Sequence, residues 1–141
     1  MLASVIRSLA DTSAFTHLHY PAVAEVLESL VERGLLATCG MVELEVLLTA
    51  RNLSQLQEDR LYRSLTLIRI DIEEHDFARA QDVMEMLAAA GLHRAAKVND
   101  LLIAAVAERA GLTVLHYDQD FEYIGQATGQ AMEWVAPKGS L

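Results

Sequence analysis

The stretch Lys97–Asp120, KVNDLLIAAVAERAGLTVLHYDQD, decides the fold. Asn99 is expected to cap a helix running from Asp100 to Ala110, which Gly111 stops. Thr113 to Tyr117 is the clearest strand of the chain and ends at Asp118. A helix feeding directly into a short apolar strand is the repeating unit of a parallel sheet covered on both faces.

Working outward, the same alternation recurs. Ser8-Leu9-Ala10 reads as a short buried strand ending at Asp11. From Ala22 to Arg33, Val23, Val26, Leu27, Leu30 and Val31 fall at helical spacing opposite Glu25, Glu28 and Glu32, with Gly34 as a left-handed cap. Leu35 to Cys39 reads as a second strand and Met41 to Arg51 as a helix. Ser54 is expected to cap a helix through Ser64. Leu67 to Ile70 is a third strand, Glu73 to Ala90 a long helix stopped by Gly91, and Met132 to Val135 a fifth strand. The fold class is therefore α/β, a mostly parallel five-stranded sheet between helices, with one domain over residues 1–141. Ligands of such sheets bind beyond the carboxyl ends of the strands, where strand order reverses.

Composition narrows the function classes. With 52% hydrophobic and 22% charged residues among 141, the chain has enough apolar material for one folded core. No apolar run reaches the ~18 residues that span a bilayer. The start, MLASVIRSLADTS, is too soon interrupted by polar groups for a secretory signal. The single cysteine, Cys39, leaves no disulfide framework and reads as a small buried strand residue. The expectation is a cytoplasmic protein with no membrane partner. Eleven Lys and Arg against twenty Asp and Glu, net −9, argue against coating duplex DNA but not against a nuclease that grips nucleic acid locally.

Four segments place acids where the sheet edge could gather them: Asp11-Thr12-Ser13, Glu43-Leu44-Glu45, Asn99-Asp100 and Asp118-Gln119-Asp120. Gathered carboxylates raise one another's pKa unless a cation intervenes. Oxygen ligands alone suit Mg²⁺ or Mn²⁺ rather than zinc or copper. Such an ion can activate water and neutralise charge on a phosphodiester. Thr12 or Ser13 could fix an aspartate rotamer by a hydrogen bond. Each piece alone has an ordinary structural reading: DTS as a helix cap, Asp100 as a complement to a helix dipole, Glu43 and Glu45 as solvated residues, Asp118-x-Asp120 as a turn. Their joint placement is what points to a site.

LADTSAF (Leu9–Phe15), MVELEVLLTAR (Met41–Arg51), KVNDLLIAAVAERAGLTVLHYDQDFEYI (Lys97–Ile124) and TGQAMEWVAP (Thr128–Pro137) resemble, in order along nearly the whole chain, the signature blocks of VapC-type PIN-domain toxins. The resemblance implies a PIN-like α/β/α sandwich and a Mg²⁺- or Mn²⁺-dependent endoribonuclease. It further implies a homodimer and a cognate VapB-type antitoxin whose tail blocks the acidic site. Asp11, Glu45, Asp100 and Asp118 would be the core acids, with Asp11, Asp100, Asp118 and Asp120 at the metal. Glu45 would ligate metal or orient the attacking water. It is preferred to Glu43 because it occupies the acid position of the family's Glu-Leu-x-x-Gly-Ala-like block, in which Thr49 here replaces glycine; Glu43 is the reserve. The rival readings are a nuclease acting on DNA structures and a non-catalytic PIN-like interaction module.

The loop bearing His93, Arg94 and Lys97 either holds RNA phosphates beside the metal edge or is simply solvated. His116 reads as packed or partner-facing within its strand. Val83, Met84, Met86 and Leu87 read as core, with part of their helix available to a dimer.

Overall fold

The computed structural model describes residues 6–141, so the reading of the first five residues as part of no secretory signal lies outside the described residues. Five strands, β1 (Ser8–Ala10), β2 (Leu36–Cys39), β3 (Ile68–Ile70), β4 (Thr113–His116) and β5 (Met132–Trp134), form one sheet in the order β3-β2-β1-β4-β5. Every pairing is parallel, with Leu9 opposite both Ala37 and Val114. The expected "mostly parallel" sheet is wholly parallel.

The helices are α1 (Thr12–Thr16), α2 (Pro21–Glu32), α3 (Gly40–Leu47), α4 (Leu53–Thr66), α5 (Glu74–Ala89), α6 (Val98–Arg109) and α7 (Gln119–Thr128). Successive strand residues point to opposite faces, and two cores follow from that alternation. Leu9, Ala37 and Val114 join Val83 and Leu87 of α5, Ile103 and Val106 of α6 and Phe121 and Ile124 of α7. Ala10, Leu36 and Leu115 join Val23, Leu27 and Leu30 of α2. From Asp100 to Ala107 every residue of α6 is buried, as befits a helix that is apolar around its circumference. Gly34 and Gly111 take φ of 67° and 71°, the left-handed turn that ends α2 and α6.

Several boundaries differ from the expectation. Asn52, whose side chain accepts from the Gln55 amide, caps α4 instead of Ser54. Lys97 stands at the cap of α6, which puts Asn99 inside the first turn and frees its amide for other work. The helix from Met41 ends at Leu47 rather than Arg51. Two helices, α1 and α7, stand where only a cap and a turn were read; each begins with an aspartate, Asp11 or Asp118, accepting a backbone amide two residues on. Met84 and Met86 lie on the outer face of α5, while Val83 and Leu87 are core. Among the described residues no helix is long and apolar enough to cross a membrane.

Candidate active site

The chain leaves β1 for one side of the sheet and β4 for the other, so the carboxyl ends of these two central neighbours open a crevice. Asp11 follows β1 directly and Asp118 follows β4 by two residues. The two ends are tied together: the Tyr117 amide donates to Ser13 Oγ at 2.8 Å, and the Ser13 amide donates to Asp11 Oδ2 at 2.9 Å. His116 sits beneath, packed against Phe121 and Trp134, and its Nδ1 accepts from the Asp118 amide at 3.1 Å. Burial pushes His116 down to about 4, so the ring is neutral and serves as an acceptor that sets the Asp118 turn.

Asp100, one turn into α6, brings its carboxyl to the same place. One oxygen from each of Asp100, Asp118 and Asp120 lies within 4.8 Å of the others. Lys97 bridges them: its Nζ lies 2.8 Å from Asp120 Oδ2, 2.9 Å from Asp118 Oδ2 and 3.4 Å from Asp100 Oδ2. The Asp120 amide in turn donates to Asp118 Oδ1 at 2.9 Å. Lys97 thus pairs with the acids themselves, an arrangement neither reading of its loop anticipated; it, His93 and Arg94 are all exposed.

The two glutamates of α3 separate. Glu45 faces the crevice, half-buried, and accepts from Thr12 Oγ1 at 2.9 Å and from Asn99 Nδ2 at 3.3 Å. Glu43 turns inward and is closed off by a bidentate pair with Arg63 at 2.8 and 2.7 Å and by Thr38 Oγ1 at 2.6 Å. The reserve candidate is therefore a structural acid. Sequence reading did not find Asn99 as a partner of Glu45; its place one residue before Asp100, on the next helical direction, was the available signal.

Electrostatically the crevice is short of positive charge. Burial raises Asp11, and the Glu45 charge adds to it, against the opposing Ser13 hydrogen bonds. Asp100 stands well above the usual carboxylate range through burial first, then the close Asp120 carboxyl and the Asp11 charge, with Lys97 in opposition. Burial would raise Asp120 too, but hydrogen bonds from Lys97 and Asp100 hold it low. For Lys97, burial works downward, and its bonds to Asp120 and Asp118 outweigh that and lift it above the ordinary lysine range. Asp11 Oδ1 and Asp100 Oδ2 are buried and receive no hydrogen bond from the described residues. Two such buried carboxylate oxygens, one of them only loosely ion-paired with Lys97, are what a hard divalent cation would satisfy. The gathered group of Asp100, Asp118 and Asp120, which does not include Asp11, is made of carboxylates alone among the described residues.

Residues 9–126 match the PIN domain family. Ribonuclease VapC21 of Mycobacterium tuberculosis H37Rv is 44% identical over 134 residues, 95% of this chain and 97% of that protein. Ribonuclease VapC51 of the same strain is 40% identical over 139 residues, 96% and 98% of the two chains. Among solved structures, VapBC2 from Rickettsia felis, bound to a DNA fragment from its promoter, contains a chain that superposes with a TM-score of 0.73 at 19% identity. The overlap covers 92% of this chain and 98% of that one, a likeness of fold.

Proposed function

This chain belongs to the PIN domain family, and from that premise we propose that it is a metal-dependent endoribonuclease, the toxin of a type II toxin–antitoxin pair. The observation that carries the reading is the gathering of Asp100, Asp118 and Asp120 at the reversal of strand order, with Asp11 Oδ1 and Asp100 Oδ2 buried and without hydrogen bonds among the described residues. Asp11, Asp100, Asp118 and Asp120 are the proposed holders of Mg²⁺ or Mn²⁺, chosen because every donor is a carboxylate oxygen. The ion supplies a lowered pKa for water and a counter-charge for the phosphodiester. Glu45, held by Thr12 and Asn99 with a carboxyl still half open to solvent, orients the attacking water and accepts its proton. The Ser13 and Asp120 amides fix the rotamers of Asp11 and Asp118, so the crevice is ordered before substrate arrives.

The substrate in this reading is single-stranded or looped RNA. A cognate VapB-type antitoxin as inhibitor, a homodimer, a single PIN domain over residues 1–141 and a cytoplasmic setting complete it, supported by the near full-length likeness to proteins named VapC. The test is cleavage of total RNA by purified protein with Mg²⁺ or Mn²⁺, against EDTA and an Asp100→Asn control. Discrete fragments absent from both controls are expected. Metal-independent fragments, or full activity in Asp100→Asn, would overturn the assignment. Cleavage confined to DNA would move the protein to the nuclease class that acts on DNA structures, and absence of both cleavage and metal binding would favour an interaction module.

A further inference from the structure

Lys97 is the residue from which α6 starts, and its side chain crosses the crevice to reach three carboxylates at once. Those three are the same carboxylates whose oxygens gather within 4.8 Å. An ammonium and a divalent cation therefore compete for one set of oxygens. The two sides of this contact differ in freedom. The Asp100 side chain is 5% exposed and fixed on a buried helix, while that of Lys97 is 65% exposed on a flexible four-carbon stem. The Lys97 backbone amide separately donates to Asp120 Oδ2 at 3.0 Å, which keeps the loop anchored if the ammonium leaves.

We infer that Lys97 is a built-in counter-ion: it fills the cation position of the metal-free protein, leaves when a divalent ion enters, and so sets how tightly the site takes metal. The inference rests on reading the crevice as a metal site. Its physical basis is competition. A site whose ligands are already paired binds an incoming ion with an affinity reduced by the fraction of molecules in which the pair is open. In exchange, the ammonium offsets part of the mutual repulsion among the clustered carboxylates of the metal-free protein. Lys97 in this account is a positioning residue; the proton transfers of the reaction belong to other groups.

The experiment titrates Mn²⁺ into wild type, Lys97→Gln and Lys97→Arg, reading free ion by its electron paramagnetic resonance, with thermal unfolding of each protein in EDTA. Lys97→Gln is expected to bind Mn²⁺ at least about tenfold more tightly and to melt lower in EDTA. Lys97→Arg is expected to keep both the weaker binding and the EDTA stability. A Lys97→Gln protein that folds only with Mn²⁺ present supports the inference as well. Mn²⁺ affinity in Lys97→Gln equal to or weaker than wild type overturns it. If wild type then still cleaves RNA with metal, only this inference falls; if neither protein binds Mn²⁺, it falls together with the metal-nuclease reading.

Discussion

Glu43 and Glu45 stand two residues apart on α3 and meet opposite surroundings. Glu43 is enclosed with a full balancing charge and three donors: the Nε and Nη2 of Arg63 and the Thr38 hydroxyl. Burial alone would raise it, yet the Arg63 and Thr38 hydrogen bonds bring it below its ordinary value. Glu45 and its neighbours Asp11 and Asp100 lie in a crevice where carboxylates outnumber cations and two buried oxygens receive no hydrogen bond from the described residues. The difference separates an acid that holds the fold from acids that await a ligand, and neither residue type nor exposure alone makes that distinction. Charge balance does.

The largest effect expected from this contrast is on stability. Glu43→Ala leaves Arg63 buried without its partner, a loss of about 3–5 kcal/mol, measured as a lower urea midpoint, while the folded fraction still cleaves RNA. Glu45→Gln should do the reverse: cleavage falls at least about a hundredfold and the midpoint stays within about 0.5 kcal/mol. Equal effects of the two variants on both readouts would erase the distinction. Next come the groups that aim Glu45. Thr12→Val and Asn99→Ala are each expected to lower the cleavage rate about tenfold with little change in melting. A rate unchanged in both would mean that Glu45 needs no aiming.

The smallest effect is on pH dependence in EDTA. Asp11 and Asp100 are raised in the folded protein, so the native state takes up their protons before the unfolded chain does, and acidification from neutral toward about pH 5 adds stability. Glu43 and Asp76 are lowered, the latter because Arg109 outweighs the burial that would raise it. Their stabilisation is complete above about pH 4.5, the usual range of unfolded carboxylates, and is lost as pH falls further. The urea midpoint should therefore peak in mildly acid solution, and Asp100→Asn should flatten the rise. A midpoint that falls steadily from pH 7 downward would contradict the sign assigned to the crevice.

Much of this was legible in the chain because it is local. Apolar strands at Leu36–Cys39 and Thr113–His116, left-handed glycines after α2 and α6, and aspartates at strand ends all announce themselves within a few residues. The acid segments could be aligned because a parallel sheet sends every strand end to one edge. What escaped depends on distant partners. The fate of Glu43 is set by Arg63, twenty residues on, in a helix where that arginine looks like one more solvated charge. Lys97 draws its meaning from Asp118 and Asp120, which only the approach of α6 to the end of β4 brings within reach. Helix α7 was hidden because Asp118-x-Asp120 reads equally well as a turn, and its apolar stripe, Phe121 and Ile124, has only two fully buried members.

The central claim is that the crevice holds more carboxylate than Lys97 alone can balance and takes a divalent cation, and thermal unfolding tests it most directly. Wild type and Asp100→Asn would each be melted in EDTA and in Mn²⁺ at about a hundred times its dissociation constant. The account predicts a rise for wild type worth about 2.7 kcal/mol, roughly 5–10 °C for a chain of this size. It predicts an Asp100→Asn protein at least as stable as wild type in EDTA and nearly indifferent to the metal. A wild type that does not respond to Mn²⁺, or an Asp100→Asn protein that responds as strongly, would contradict it.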